Sequence, residues 1–207
     1  SYETSQYLVM FTKSGMVKKS KFSDYDSRNQ VLVAINLKDG DEVVAVRQTH
    51  GESDLMMFTR NGQGILFNED EVRSTGRASQ GVIGIRLRDG DEVVGAAIAE
   101  EAEDVLLLTT GGFGKRTKLA DFPVKHRGGL GVKAIKIVST RGTLATARGV
   151  VPSDEIVITS SDGIVIRQLV KDINRYGRNS MGVKVMNLAE GASLSAVAIA
   201  AKNGDDV

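Results

Sequence analysis

The chain has no cysteine and no tryptophan, and only 2 of its 207 residues are proline and 2 are histidine. Without cysteine, the sequence excludes disulfides, thiolate metal sites and cysteine nucleophiles, and it is compatible with a reducing compartment. No apolar run approaches the length of a transmembrane helix. No basic segment followed by an apolar one stands at the N-terminus, so no signal peptide is expected. Because the chain starts at Ser1 and not at methionine, we expect it to be a fragment.

Aromatic side chains are also scarce, at 5% of the chain, whereas 41% of the residues are apolar. This apolar fraction is enough for a core and too high for a disordered chain. The core must therefore be built mainly from small and aliphatic side chains. The 23 glycines, set against 2 prolines, indicate many tight turns.

Four segments of the chain are similar to one another. Each begins with a continuous apolar run, which predicts a strand buried on both faces. Each run ends at a turn glycine, and these glycines, 47, 50 and 51 residues apart, are Gly15, Gly62, Gly112 and Gly163. A second block alternates large apolar and polar residues, which predicts a strand with one solvent-exposed face. That block spans residues 31–37, 81–87, 131–137 and 182–188.

The turns divide each repeat into strand, tight turn, strand, long loop, strand, tight turn and strand. Four strands in a repeat of this length are typical of a propeller blade. Because one such sheet cannot cover both of its faces, the blades must stack around an axis. We therefore predict an all-β, propeller-like fold of four-stranded blades, with at most one short helical turn, for example near residues 68–72. The expected repeats are about 7–53, 54–103, 104–153 and 154–201.

Charge is sorted within each repeat. The stretches 13–28, 60–77, 113–136 and 164–184 hold 20 of the 27 Lys and Arg residues but only 7 of the 26 Asp and Glu residues. Because this sorting recurs with the repeat, stacked blades would have one basic rim. Evenly placed cations are typical of a surface that neutralises the phosphates of a polyanion. Two alternatives stay open, an ordinary solvated surface and a protein-interaction propeller whose rim charge is incidental.

The candidate DNA-binding residues are cations of these stretches, together with the histidine that lies between two of them. They are Lys18, Lys19, Lys21, Arg28, Arg73, Arg77, Lys115, Arg116, Lys118, Lys125, His126, Arg127, Lys133, Arg167, Arg175, Arg178 and Lys184. Glycine beside arginine, as at Gly76-Arg77, lets backbone N–H groups approach a phosphate. Few aromatic residues lie among these cations, so we expect contact with the backbone of a duplex and not base stacking.

No motif for catalysis, a cofactor or a metal is complete. Residues 111–115 superficially suggest a phosphate-binding loop, but Thr109 and Arg116 stand where that motif needs Gly and Ser or Thr. Asp39 and Asp41 lack the remaining ligands of a calcium loop and are predicted to be turn residues. No pair of nucleophile and base is apparent. We therefore predict no catalytic, cofactor-binding or metal site, and an enzyme with its site in the blade axis is disfavoured.

Several short motifs resemble the C-terminal domain of the DNA gyrase A protein, with the corresponding protein of topoisomerase IV as a near relative. They are Gly112-Phe-Gly-Lys-Arg-Thr117, Val72-Arg-Ser-Thr-Gly-Arg77 and Gly177-Arg-Asn-Ser-Met-Gly-Val183, and the resemblance covers residues 7–200. The resemblance implies a β-pinwheel, a propeller-like disc in which neighbouring blades exchange a strand. It also implies that double-stranded DNA wraps around the basic outer edge.

The resemblance further implies the setting of the domain. The fragment itself is expected to be non-catalytic and to need no cofactor, whereas the parent topoisomerase is an ATP-hydrolysing isomerase. The implied partners are double-stranded DNA, the rest of the gyrase A protein and the gyrase B protein, which is the ATPase. The implied location is the bacterial cytoplasm, in association with the nucleoid, and no membrane contact is expected.

One feature of the gyrase pattern is missing from the sequence. The family's wrapping signature is a heptapeptide similar to Gln-Arg-Arg-Gly-Gly-Lys-Gly in the first blade. The nearest match here is Lys125-His-Arg-Gly-Gly-Leu-Gly131, in the third repeat, where Leu130 replaces the lysine. The full domain usually has six blades, and the four repeats resemble the last four. We therefore expect DNA binding with weak bending.

Overall fold

Fifteen β-strands and six short 3-10 helices form the part of the chain that the structure describes, residues 6–26 and 33–200 of a computed structural model. The strands are β1 (Tyr7–Thr12), β2 (Met16–Lys21), β3 (Val43–Thr49), β4 (Asp54–Thr59), β5 (Gln63–Asn68), β6 (Val82–Ile83), β7 (Val93–Ile98), β8 (Asp104–Thr109), β9 (Phe113–Lys118), β10 (Val132–Lys133), β11 (Leu144–Val150), β12 (Glu155–Ser160), β13 (Val165–Leu169), β14 (Val183–Lys184) and β15 (Leu194–Ile199). The 3-10 helices are Phe22–Tyr25, Glu69–Glu71, Ala99–Glu101, Leu119–Asp121, Ser139–Arg141 and Val170–Asp172. The prediction of an all-β fold is confirmed.

The strands form four antiparallel sheets, and most strands of each sheet come from a single repeat of the sequence. The strand orders are β3-β1-β2-β6, β10-β5-β4-β7, β11-β8-β9-β14 and β13-β12-β15. In the first three sheets, three strands come from one repeat and the fourth is a two-residue strand from the following repeat. β6, β10 and β14 are these donated strands. Neighbouring blades are therefore joined by strand exchange.

The donated strands are much shorter than predicted. The sequence predicted strands over 81–87, 131–137 and 182–188, but each pairs over two residues. The ladder ends because the next two N–H groups converge on one carbonyl of the preceding blade's hairpin turn. Gly84 and Ile85 both donate to the carbonyl of Gly15, at 2.8 and 3.2 Å. The predicted strand over 31–37 lies partly outside the described residues, and residues 33–37 form no strand.

Three apolar clusters fill the spaces between consecutive sheets. The first joins Val9 and Phe11 of β1 to Leu55 and Met57 of β4. The second lies on the other face of β4, and the third lies between the last two sheets. Alternate side chains of β4 and β8 therefore enter different clusters, which confirms the predicted burial of these strands on both faces.

The tight turns place glycine where the backbone has a positive φ. Gly15 and Gly62 have φ values of 94° and 91°, which side chains with a Cβ rarely adopt. Asp41 and Asp91 belong to the second set of turns, and their carboxylates accept the backbone N–H groups of Ser14 and Asn61. The short helical turn predicted near 68–72 is present as the 3-10 helix Glu69–Glu71. The expectation of at most one such turn is wrong, because five further 3-10 helices connect strands of the described residues.

Candidate nucleic-acid interface

The long loops of the repeats lie across the outer strands of the preceding blades. Single parallel bridges join Lys19 to Ser74, Leu66 to Val124 and Arg116 to Arg175. Each loop then runs into its donated strand. At the opposite edges of the sheets, β7 contacts β3 and β11, and β11 contacts β15, so these strands form the inner side of the array. We call the surface of β2, β5, β9, β13 and the loops 73–81, 124–131 and 174–182 the outer rim.

Nine of the seventeen candidate residues are exposed on the outer rim or on the strands donated to it. They are Lys21, Arg73, Lys118, Lys125, His126, Lys133, Arg167, Arg175 and Lys184. Three of the nine have a carboxylate partner: His126 with Glu71, Arg167 with Glu155 and Arg175 with Asp104. Within the described residues the other six form no ion pair, so their positive charge is available to a ligand. These six are the strongest candidates for phosphate contact.

Three arginines are half-buried and hold neighbouring repeats together. Arg127 donates its Nε to the carbonyl of Glu71 at 2.8 Å and its Nη1 to that of Ile83 at 3.0 Å. Arg178 makes the equivalent bonds one repeat later, to Asp121 and Lys133. Each guanidinium thus anchors a rim loop to the preceding repeat. Arg77, the third, donates to the carbonyl of Val33 at 3.3 Å.

Four candidate residues are buried, which corrects the expectation that their charged groups are free to meet a phosphate. Lys18 and Lys115 are 1% and 0% exposed. The Lys115 ammonium donates to the carbonyls of Gly177 and Arg178, at 2.6 and 3.1 Å. Lys18 does the same with the carbonyls of Ala34 and Arg77. Both lysines therefore hold the backbone of the loops that bear the rim arginines.

The same burial lowers the pKa of both lysines. Removal from water lowers the pKa of Lys18 to about 8, and the charge of Arg77 acts in the same direction. Lys115 has a pKa of about 8 for the same reasons, with Arg178 as the nearby cation. Desolvation disfavours the charged form of an amine, and a like charge adds to that effect.

The other two buried cations face carboxylates. Arg116 donates to the Asp104 carboxylate at 3.0 Å, and Asp104 is completely buried. Lys19 lies 4.0 Å from the buried carboxylate of Glu69. Each cation compensates a buried carboxylate, so loss of either cation would leave negative charge inside the fold less compensated. The last candidate, Arg28, lies outside the described residues.

Two further exposed cations lie beside the rim loops. The backbone N–H of Arg86 donates to the carbonyl of Gly129, and that of Lys136 donates to the carbonyl of Ser180. The sequence signal was present, because both are the polar residues that alternate with buried apolar ones. That alternation predicts only that they lie on the solvent-exposed face of a strand. Their position beside the loops depends on hydrogen bonds between residues far apart in the sequence, which the local pattern does not reveal.

The described residues lack two features. They contain no cluster of three or more His, Cys, Asp or Glu residues arranged to hold a metal ion. The same residues include no helix that is long and apolar enough to span a membrane. The exposed cations of the outer rim can neutralise negative charge and donate hydrogen bonds.

Known proteins match the whole length of the chain. The family model of the DNA gyrase C-terminal domain, a β-propeller, matches residues 6–50, 53–100, 103–149 and 154–201. The DNA gyrase A protein of Clostridium acetobutylicum is 48% identical over 206 residues, which cover 99% of this chain and 25% of that protein. The DNA gyrase A protein of Mycolicibacterium smegmatis is 40% identical over 209 residues, covering 100% and 24%. The chain spans about a quarter of the length of these relatives.

Solved structures share the fold. A structure of the DNA gyrase A C-terminal domain superimposes with a TM-score of 0.86 at 26% identity, and covers 96% of this chain and 67% of that one. The C-terminal domain of DNA topoisomerase IV superimposes with a TM-score of 0.89 at 28% identity, covering 96% and 63%. Both similarities extend over nearly the whole chain.

Proposed function

The chain belongs to the DNA gyrase C-terminal domain family, as its short motifs predicted, and from that premise we propose that its outer rim binds the phosphate backbone of duplex DNA without sequence preference. The observation that carries the proposal is the set of six exposed, unpaired cations on the loops and strands of successive blades. Neutralised phosphates release counterions, and that release favours binding independently of base sequence. Binding of this kind needs no bound cofactor.

The family also supports a setting for this rim. The parent protein would be the A protein of a type IIA topoisomerase that supercoils DNA, with ATP hydrolysis by the partner gyrase B protein. In that complex the rim would present a curved duplex to the strand-passage core formed with the rest of the A protein. The expected location is the bacterial cytoplasm, at the nucleoid. The chain itself contributes the DNA contact and no catalytic group.

Duplex binding by charge-matched variants tests the proposal. The Lys118→Gln, Lys125→Gln double variant removes two charges from the outer rim. We expect it to weaken binding of a duplex of about 30 base pairs by roughly tenfold, and equally for two unrelated sequences. Fluorescence anisotropy at fixed salt measures this.

The matched control removes the same net charge away from the rim. Lys38 and Arg88 are exposed at the second set of turns, beside Asp39 and Asp89. The Lys38→Gln, Arg88→Gln double variant should bind duplex DNA as the unmodified chain does. Equal losses in the two double variants would show that net charge alone controls binding, and no loss in the rim variant would reject the rim as the DNA site.

A further inference from the structure

A cavity on the inner side of the array is separate from the outer rim. It has a volume of about 260 Å³ and is lined by inner strands of the four sheets, the 3-10 helix Ala99–Glu101 and the turn that precedes β12. Arg47 of β3 and Arg148 of β11 both line it. Arg47, Ala97, Arg148 and Ala198 occupy corresponding positions of their blades, because each pairs with the corresponding residue of the neighbouring strand. β7 and β15 therefore have the small residues Ala97 and Ala198 where β3 and β11 have arginine.

The two arginines line the cavity from different blades. Their hydrogen bonds to backbone carbonyls leave some of the guanidinium N–H groups without a partner among the described residues. Arg47 donates to the carbonyls of Val46 and Ala96, at 2.9 and 3.3 Å, and Arg148 donates its Nη1 to the carbonyl of Val197 at 3.1 Å. A guanidinium has five N–H donors. Small residues, among them Ala97 and Gly149, also line the cavity.

The two arginines line one cavity together with Glu101, and their charges are not closely compensated. Within the described residues, neither arginine has a carboxylate within 4.0 Å. Burial lowers the pKa of Arg47, and the charge of Arg148 lowers it further, while Glu101 acts in the opposite direction. Asp154 also lines the cavity, but its carboxylate accepts the N–H of Val151 at 2.9 Å. Two half-buried cations that repel each other favour an anion between them.

We propose that this cavity binds a small phosphate-type anion, held between the guanidinium groups of Arg47 and Arg148. The planar guanidinium matches two oxygens of a phosphate at once, and the cavity is large enough for inorganic phosphate or pyrophosphate. A bound anion would link β3 to β11 and so stabilise the arrangement of the first three blades. This site is independent of the proposed DNA contact because it lies on inner strands.

Calorimetric titration with sodium pyrophosphate tests the site, with sodium chloride at equal ionic strength as the reference salt. We expect saturable binding with one anion per chain. Arg148→Gln should weaken this binding at least tenfold. Glu101→Gln removes a negative charge that lines the cavity and would repel an anion, so it should strengthen the binding several-fold. The opposite directions of the two variants distinguish a site from general screening of charge.

Two controls separate this site from the outer rim. The Lys118→Gln, Lys125→Gln double variant should bind pyrophosphate as the unmodified chain does, although its affinity for duplex DNA falls. Arg148→Gln should keep its affinity for duplex DNA. Equal pyrophosphate binding by the unmodified chain and Arg148→Gln, at unchanged thermal stability, would overturn the proposal. Loss of pyrophosphate binding in the Lys118, Lys125 variant alone would place the anion on the rim and overturn it as well.

Discussion

At the scale of the residue, the position within the repeat separates buried cations from exposed ones. Lys18 and Lys115 occupy the position that Ile65 and Ile166 fill in the other two repeats. Ile65 is 1% exposed, so its side chain points into the fold, as those of Lys18 and Lys115 do. Alignment of the repeats therefore predicts that these two lysines are buried, whereas the count of charges in each stretch does not.

Lys115→Met should change how stability depends on pH. Because the pKa of Lys115 in the folded chain is about 8 and its ordinary value is 10.5, the unfolded chain binds more protons between these values, and the fold gains stability as the pH rises. Below pH 8 both states are protonated and this contribution is constant. Relative to Lys115→Met, the unmodified chain should therefore gain about 3 kcal/mol of unfolding free energy from pH 8 to pH 10.5.

Urea unfolding at a series of pH values from about 7 upward measures this difference. Lys118→Met is the matched control, since it removes the same charge from an exposed side chain three residues along the same stretch. That control should keep the pH dependence of the unmodified chain. Identical pH dependence in Lys115→Met and the unmodified chain would contradict the account of Lys115.

At the scale of the element, the donated strand depends on glycine at its start. Gly131 has a φ of 74°, and a Cβ there would overlap the carbonyl oxygen of Gly64 on β5. Gly81 and Gly182 meet the carbonyls of Val17 and Gly114 in the same way. A side chain at these positions would push the donated strand away from the outer strand of the preceding blade.

Gly131→Ala should therefore destabilise the chain more than the same change at Gly191. Gly191 has a similar φ of 78°, but no atom lies within 4 Å of a Cβ placed there. We expect Gly191→Ala to cost about 1 kcal/mol from backbone strain, and Gly131→Ala to cost roughly 2 kcal/mol more because the donated strand must shift. Urea unfolding of the two variants measures the difference, and equal losses would show that the close approach to Gly64 contributes nothing.

The local sequence pattern predicted the strands and hairpins of the blades, but it did not predict contacts between residues far apart in the chain. Apolar runs such as residues 105–108 and turn glycines such as Gly112 report on neighbours in the sequence, so strands β8 and β9 and their hairpin were predictable. Pairing of β14 with β9 joins Val183 to Gly114. Nothing local to Val183 specifies that distant partner, and strand exchange was expected only from the family resemblance. The anchoring of Arg178 to Asp121 and Lys133 depends on the same long-range arrangement.

At the scale of the whole molecule, the four sheets arrange one basic surface on the outside and a pair of arginines on the inside. The third repeat contributes most to the rim, since Lys118, Lys125 and Lys133 are all exposed and unpaired. The second repeat contributes least, because Arg73 is its one exposed, unpaired candidate among the described residues and the acidic Asp70 and Glu71 lie close to it in the sequence. A duplex on this rim would therefore meet uneven attraction along its path.

The chain should bind duplex DNA but bend it weakly. Bending a stiff duplex by tens of degrees costs several kcal/mol, which contacts at both ends of the bend must offset. The four repeats offer a short arc, and Leu130 replaces the lysine of the nearest match to the wrapping heptapeptide. We therefore expect no constrained supercoil when closed plasmid is relaxed by a topoisomerase in the presence of saturating chain. A clear shift in the topoisomer distribution would show that these four blades suffice for wrapping.

The salt dependence of duplex binding tests the central claim most directly, because phosphate neutralisation fixes its slope. If the six exposed, unpaired rim cations all meet phosphates, the logarithm of the binding constant should fall against the logarithm of salt concentration with a slope of about −5. The Lys118→Gln, Lys125→Gln double variant should reduce the steepness by about 2, whereas the Lys38→Gln, Arg88→Gln control should leave it unchanged. A nearly flat response of the unmodified chain, or the same slope in all three proteins, would contradict DNA binding by the outer rim and favour a protein-interaction surface.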